Sequence, residues 1–300
     1  MQLFIEQVLN GIGNGVIYGA LALALVLIFR TTGVLNFAQG EMALFSTFIT
    51  WKLTTTGMPV FGAIFISMAI AFVAGGIIER TLIRPFESGR SPLNVVIVSL
   101  GMFLAINSLA QLFFGTDPQQ MPKPFTDNSL QFFTNSHGNS VSVSYQTLGL
   151  IGVLALECLV LWFLLQRTRL GLKLRAVAAN PESARLHGIK AGSMLMFGWA
   201  LSAALGALAG ALVASSRVGF DASLMQTIIV FALAAAALGG FDSIWGAVVC
   251  GVFVGVANSL TTQYIGFLDG IEVVLPLALI MVVLVVSPNG LFGKRTVERV

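Results

Sequence analysis

The side chains able to do chemistry in this chain are few, and most of them are uncharged. Asn10, Asn14 and Tyr18 lie on the side of the first apolar run that also carries Gly11, Gly15 and Gly19. The stretch Thr31-Thr32-Gly33-Val34-Leu35-Asn36-Phe37-Ala38-Gln39-Gly40-Glu41 then interrupts an otherwise apolar sequence. A second interruption, Leu238-Gly239-Gly240-Phe241-Asp242-Ser243-Ile244-Trp245-Gly246-Ala247, comes late in the chain. Asn258 and Glu157 stand inside further apolar runs. Amides, hydroxyls and isolated carboxyls at membrane depth are costly, and that cost makes them functional positions by default. Glycine-broken segments in both halves of a membrane chain point to a translocation path, because irregular backbone at that depth is tolerated only where it lines a cavity. The expected path residues are Asn14, Tyr18, Asn36, Gln39, Glu41 and Asn258. The competing reading makes the two interruptions tight turns at the membrane surface. Glu157 reads as a carboxyl hydrogen-bonded to a polar neighbour such as Asn107 or Asn258, with proton relay as its functional alternative.

Other chemistries lack their parts. No glycine-rich loop ends in Gly-Lys-Ser/Thr, so the chain has no phosphate cradle of that kind. His-Glu-x-x-His and Gly-x-Ser-x-Gly are also missing, and His137 and His187 have no metal-ligand neighbours. Cys158 and Cys250 sit in apolar runs and read as packing residues. No catalytic residue, metal site or bound cofactor is expected in this chain, which does not read as an enzyme.

The elements that must position the polar residues follow from composition. Of 300 residues, 56% are hydrophobic and 10% charged, against about 25% charged in soluble domains. So few charges cannot cover a water-facing surface, and a bilayer removes that requirement. A span needs about 20 mostly apolar residues. Val8–Phe29, Pro59–Ile78, Leu93–Phe114, Thr147–Leu165, Met194–Ser215, Met225–Leu238, Ile244–Leu260 and Ile271–Ser287 approach or meet this, and Leu35–Trp51 is a ninth, more polar stretch. The expected fold is an all-α membrane protein, a polytopic transmembrane helix bundle of eight or nine membrane segments, one of them broken or re-entrant. Residues 1–300 form one membrane domain, and the first run is a retained span because no basic n-region precedes it. The spacing of Gly11, Gly15 and Gly19, of Gly206 and Gly210, and of Gly251 and Gly255 predicts closely packed helix faces.

Basic residues orient the bundle. All of them except Lys52, Lys123 and Arg217 fall at Arg30, in the loops around Arg80–Arg90 and Arg167–Lys190, or in the tail at 288–300. This bias places the C-terminus in the cytoplasm, and the N-terminus outside if Leu35–Trp51 crosses. The long external loop, 115–146, contains an alternating polar and apolar run, Asn139–Tyr145, that predicts a short strand or hairpin. In the cytoplasmic loop, 167–190, Asn180 suits an N-cap, Pro181 the first helical position, Glu182 the first turn and Gly188 a stop. The prediction is a helix over Pro181–His187, with Ala184 and Leu186 available for docking a cytoplasmic partner.

At these residues the sequence resembles the branched-chain amino acid permease family of bacterial ABC importers, in the shorter of its two permease types. Gly15–Leu23 running into Gly33–Met42, the loop Arg175–Gly188, and Leu238–Ala247 carry the likeness, and their order and spacing cover nearly the whole chain. Gln39 stands where the family usually has His, and Trp245 where Pro is common. The resemblance implies a multi-pass subunit of the bacterial inner membrane that imports branched-chain or related hydrophobic amino acids. It implies a second permease subunit as hetero- or homodimer partner, two cytoplasmic ATPase subunits that bind the ATP and Mg, and an external substrate-binding protein. Surrounding lipid is a further partner, and nucleic acid is not. Arg175, Asn180, Pro181, Glu182, Ala184, Arg185, Leu186 and Gly188 would form the ATPase-coupling segment. A urea or short-amide permease on the same scaffold is the nearest alternative. A stand-alone secondary transporter or channel is the alternative from a different class.

Overall fold

A computed structural model of the chain describes residues 2–87, 93–126, 128–134, 140–265, 271, 273–287 and 289–293. Among the described residues the regular structure is helical apart from one hairpin and one isolated bridge, Gln119 to Phe220. The helices are α1 (Gln2–Thr32), α2 (Gln39–Thr55), α3 (Val60–Ile78), α4 (Arg84–Glu87), α5 (Leu93–Phe114), α6 (Tyr145–Arg167), α7 (Arg169–Ala179), α8 (Pro181–Leu186), α9 (Ala191–Ser215), α10 (Leu224–Gly239), α11 (Ile244–Tyr264) and α12 (Val274–Val286). A π-helical turn, Glu79–Ile83, joins α3 to α4, so that Val60–Phe86 is one continuous apolar rod. The hairpin pairs β1 (Ser129–Thr134) antiparallel to β2 (Ser140–Ser144), as the alternating polar and apolar run predicts.

Among the described residues, six helices are long and apolar enough to cross a membrane: Leu3–Thr32, Val60–Phe86, Leu93–Phe114, Tyr145–Arg167, Ala191–Ser215 and Ile244–Tyr264. The other three expected segments are helical but shorter, at 17 residues for α2, 16 for α10 and 13 for α12. At 1.5 Å per residue, α2 reaches only about 25 Å, short of a bilayer core of about 30 Å. Its start is also later than the apolar run suggests. Gly33 turns the chain with φ +74°, a conformation that favours glycine, and Leu35–Ala38 belong to that turn. Much of the basic tail at 288–300, with Arg90 and His137, lies outside the described residues.

The chain divides into two compact units. The first comprises Met1–Leu23, Lys123–Ala155 and Thr227–Val300. Here α1 and α11 meet on glycine. A Cβ at Gly11 or Gly15 would fall 2.5 Å from the Cα of Val256 or Val252, and one at Gly255 would meet the backbone of Gly15. Lipid tails are as apolar as leucine, so close backbone approach and polar contacts, rather than hydrophobicity, hold such a pair. The polar part is a clasp near the helix ends. Ser259 Oγ donates to Gln7 Oε1 at 2.7 Å, and Gln7 Nε2 donates to Gln263 Oε1 at 3.0 Å.

The second unit comprises Ala24–Pro122 and Leu156–Gln226. Helix α2 lies inside it, packed against α3, α5 and α9, with ten of its residues buried. Gly206 and Gly210 of α9 face Gln39 and Thr47 of α2. Phe48 stacks on Phe114 with ring centres 5.0 Å apart, and Phe220 closes on the same ring at 5.1 Å. Outward faces remain apolar: Phe65 of α3 and Leu112 of α5 are 67% and 76% exposed. Apolar surface on this scale suits lipid or a membrane partner, not water.

Candidate functional site

The polar residues expected along a path fall into both units. Within the first, Asn14 and Asn258 are half-buried, and Tyr18 is buried, stacking on Phe231 with ring centres 4.6 Å apart. Within the second, Asn36, Gln39 and Glu41 are all buried. The first interruption is therefore a buried polar turn, and its side chains are held by specific partners.

Those partners come from distant sequence. Asn36 Oδ1 accepts from the Ala38 amide at 3.1 Å, which fixes the turn, and its Nδ2 lies 3.4 Å from Gln39 Oε1. Gln39 Nε2 donates to the Ser202 carbonyl on α9 at 3.0 Å. Ser202 Oγ donates to the Ala24 carbonyl of α1 at 2.7 Å and lies 3.2 Å from Gln39 Oε1. Two residues along from Gln39, Glu41 Oε2 accepts from Asn107 Nδ2 of α5 at 2.9 Å. The same Nδ2 donates to the Ala222 carbonyl at 2.8 Å, and Asn107 Oδ1 accepts from Gln111 Nε2 at 2.6 Å. Glu41 Oε1 has no hydrogen-bond partner among the described residues. A buried carboxyl with one oxygen unused is an expensive group, and it can accept from a passing donor. The cluster is built of amides, one hydroxyl and one carboxyl, groups that can donate and accept hydrogen bonds.

Two expectations need correction. Glu157 is buried, but neither of its oxygens has a hydrogen-bond partner among the described residues; Asn107 bonds instead to Glu41, Gln111 and the Ala222 carbonyl. The late interruption, Leu238–Ala247, is a tight turn between α10 and α11. Gly240 adopts φ +88°, Ser243 N donates to the Gly240 carbonyl at 2.9 Å, and Ser243 Oγ caps α11 through Gly246 N at 3.1 Å. Leu291 N donates to the Leu238 carbonyl at 2.7 Å and ties the following segment onto this turn.

The segment 167–190 is more ordered than a loop with one helix. Thr168 caps α7 by accepting from Gly171 N at 3.1 Å. This helix is absent from the expectations above, although Leu170, Leu174 and Val177 share helical spacing. Asn180 Oδ1 accepts from Ser183 N at 2.9 Å, Pro181 opens α8, Glu182 lies in its first turn, and Gly188 follows at φ +76°. Arg175 bonds back to the Gly171 carbonyl and to Gln166 Oε1, so it braces α7. Ala184 is not available for docking: it is buried against Val177 and Ala191 and anchors α8. Leu186 is the reverse, 88% exposed between the exposed Arg185 and His187. A cleft of about 590 Å³ opens beside the α7–α8 turn, lined in part by Arg84, Asn180, Glu182 and Arg185.

Comparison with known proteins agrees with this architecture along its length. The family model for the branched-chain amino acid transport system permease component matches residues 7–284. The high-affinity branched-chain amino acid permease LivH of Escherichia coli K12 is 27% identical over 312 aligned positions, covering 99% of this chain and 98% of that one. Its counterpart BraD of Pseudomonas aeruginosa is 28% identical with the same coverage. A probable LivH of Methanocaldococcus jannaschii is 28% identical over 91% of this chain and 87% of its own. Several apolar helices and these relatives make the protein a multi-pass membrane transport subunit, and it belongs to the branched-chain amino acid permease family.

Proposed function

We propose that the chain is the membrane-spanning permease subunit of an ATP-driven importer that moves branched-chain or related hydrophobic amino acids into the cytoplasm. The observation that carries this reading is likeness along the whole length: the family match runs over 7–284, and the LivH and BraD relatives align along 99% of the chain. In this reading the protein lies in the bacterial inner membrane with its C-terminus cytoplasmic. It works with a second permease subunit, with two ATPase subunits that hold ATP and Mg, and with an external binding protein.

The proposed path residues are Asn14, Tyr18 and Asn258 of the first unit and Asn36, Gln39 and Glu41 of the second, to which Asn107 and Ser202 are added as the groups that orient Glu41 and Gln39. Amide and hydroxyl groups suit a zwitterion in transit, since they satisfy its charged ends without trapping them. The segment Arg175–Gly188 docks on the ATPase, with Leu186 as its apolar contact. ATP binds the closed ATPase more tightly than the open one, and that differential affinity shifts the permease between its two facing states. Uptake of radiolabelled leucine into proteoliposomes, with and without ATP on the cytoplasmic side and the binding protein, tests the reading. The expected result is uptake only with both. Accumulation by this chain alone, driven by an ion gradient, would overturn it.

A further inference from the structure

One ion pair among the described residues is not used by the path, and it meets the docking segment only where Arg84 lines the cleft beside α7–α8. Glu79 is fully buried in the π-helical turn at the end of α3, and Arg84 forks onto it, Nε to Oε1 at 3.0 Å and Nη2 to Oε2 at 2.7 Å. The pair spans five residues, one more than an α-helical turn places in line. It forms because the backbone here follows the wider π repeat, with Arg84 N donating to the Glu79 carbonyl. The same Nη2 also donates to the Gly192 carbonyl, in the first turn of α9, at 2.7 Å.

Gly192 sits at a junction. Next to it, Ala191 packs with Val177 of α7 and Ala184 of α8 in a small buried cluster, which welds α7, α8 and the start of α9 together. On the other side, α3 and α9 are in backbone contact: a Cβ at Gly75 would lie 2.6 Å from that of Ala203, and Phe72 meets Phe197 edge-on at 5.7 Å. Ile83, inside the π turn, is buried in the same cluster as Trp199 and Ala203. Arg84 therefore clamps the one stretch of the α3–α4 rod that departs from α-helical bonding to the end of α9 that carries α8. Such departures are where helices bend, and they recur at functional positions.

We infer that Glu79 and Arg84 form a transmission joint: positioning residues that make a displacement of α7–α8 move α3 and α9 as one body. This rests on the reading of Arg175–Gly188 as the ATPase-docking segment. With the joint closed, the fork holds the π turn rigid and Gly192 in register. With it open, the turn bends and absorbs the stroke. Hydrolysis then continues while solute movement fails.

The test uses the complete complex, with partner permease, ATPase subunits and binding protein, in proteoliposomes where leucine uptake and ATP hydrolysis are read together. Glu79→Gln keeps the shape and removes the charge. The double variant Glu79→Leu/Arg84→Leu removes both charges, so no buried ion is left alone. Both are expected to assemble with the ATPase at wild-type stoichiometry and to hydrolyse at near wild-type rate. Leucine moved per ATP should fall by about fivefold or more, as expected for a broken coupling element. Arg84→Lys, which keeps the charge but loses the planar fork that grips both Glu79 oxygens, should give an intermediate ratio. A wild-type ratio in either of the first two variants overturns the inference. So does a parallel loss of uptake and hydrolysis in the assembled complex, the mark of a merely structural pair. Failure of the underlying reading shows separately, as a wild-type chain that retains no ATPase and takes up leucine without ATP.

Discussion

Glu41 and Glu157 are both buried acids in apolar helices, yet their surroundings differ, and their substitutions should therefore act in opposite directions. Glu41 shares Asn107 with the Ala222 carbonyl and keeps one oxygen unused, whereas Glu157 has no partner for either oxygen among the described residues. Removing the Asn107 donor strands a buried acceptor, which costs about 1–3 kcal/mol. Asn107→Leu should therefore lower the midpoint of thermal unfolding in detergent and reduce leucine uptake together. Glu41→Gln keeps the shape and should leave folding intact while lowering uptake by about tenfold, the weight of one hydrogen bond to a charged group. Unchanged uptake in well-expressed Glu41→Gln would remove this residue from the path. Glu157 calls for the opposite sign. Replacing an unsatisfied buried group by an apolar one relieves its desolvation cost, so Glu157→Leu should raise thermal stability by about 1–3 kcal/mol. A lower midpoint would reveal a partner in the assembled complex.

At the scale of elements, the two best-defined contacts use different physics. Helices α1 and α11 approach through glycine, and a side chain at Gly15 has no space next to Val252. Gly15→Leu should destabilise the chain by about 1–3 kcal/mol or more through overpacking, read as loss of monodisperse protein on size-exclusion chromatography. Helix α8, by contrast, has only six residues and depends on its ends. Asn180→Ala removes the cap, worth about 1 kcal/mol. It should raise amide exchange over 181–187 while leaving the spans unaffected. Leu186→Ala costs no burial, since the side chain is 88% exposed. Any loss of ATPase co-purification in that variant reports the interface alone.

For the whole molecule, the proposed function gives the chain a path and a docking segment and leaves energy and selection to partner subunits. Transport should vanish without ATP and recover with the assembled complex. Much of this architecture is legible in the amino-acid sequence. Composition declares the membrane, glycine spacing marks the α1–α11 face, and Asn180-Pro181-Glu182 announces α8 to within a residue. The polar turn at Asn36–Glu41 is legible as special, but its partners are not. Gln39 and Ser202 are 163 residues apart, and Glu41 and Asn107 are 66 apart. Gln111, four residues after Asn107, can be found from helical spacing. Glu79 and Arg84 cannot, because five residues is out of register in an α-helix.

What the sequence determined by itself was local or global in origin: apolar helices from hydropathy, caps and turns from residues a few positions apart. Tertiary structure decided the rest. It buried Ala184 and exposed Leu186, closed Leu238–Ala247 into a turn, and left Glu157 without the partner expected for it. It also set Arg84 on both Glu79 and Gly192. The reason is physical. In an apolar medium every face of a span is nearly equally hydrophobic, so periodicity does not say which face meets which helix. Backbone approach at small residues and a few buried hydrogen bonds make that choice, and those exist only once the helices have met.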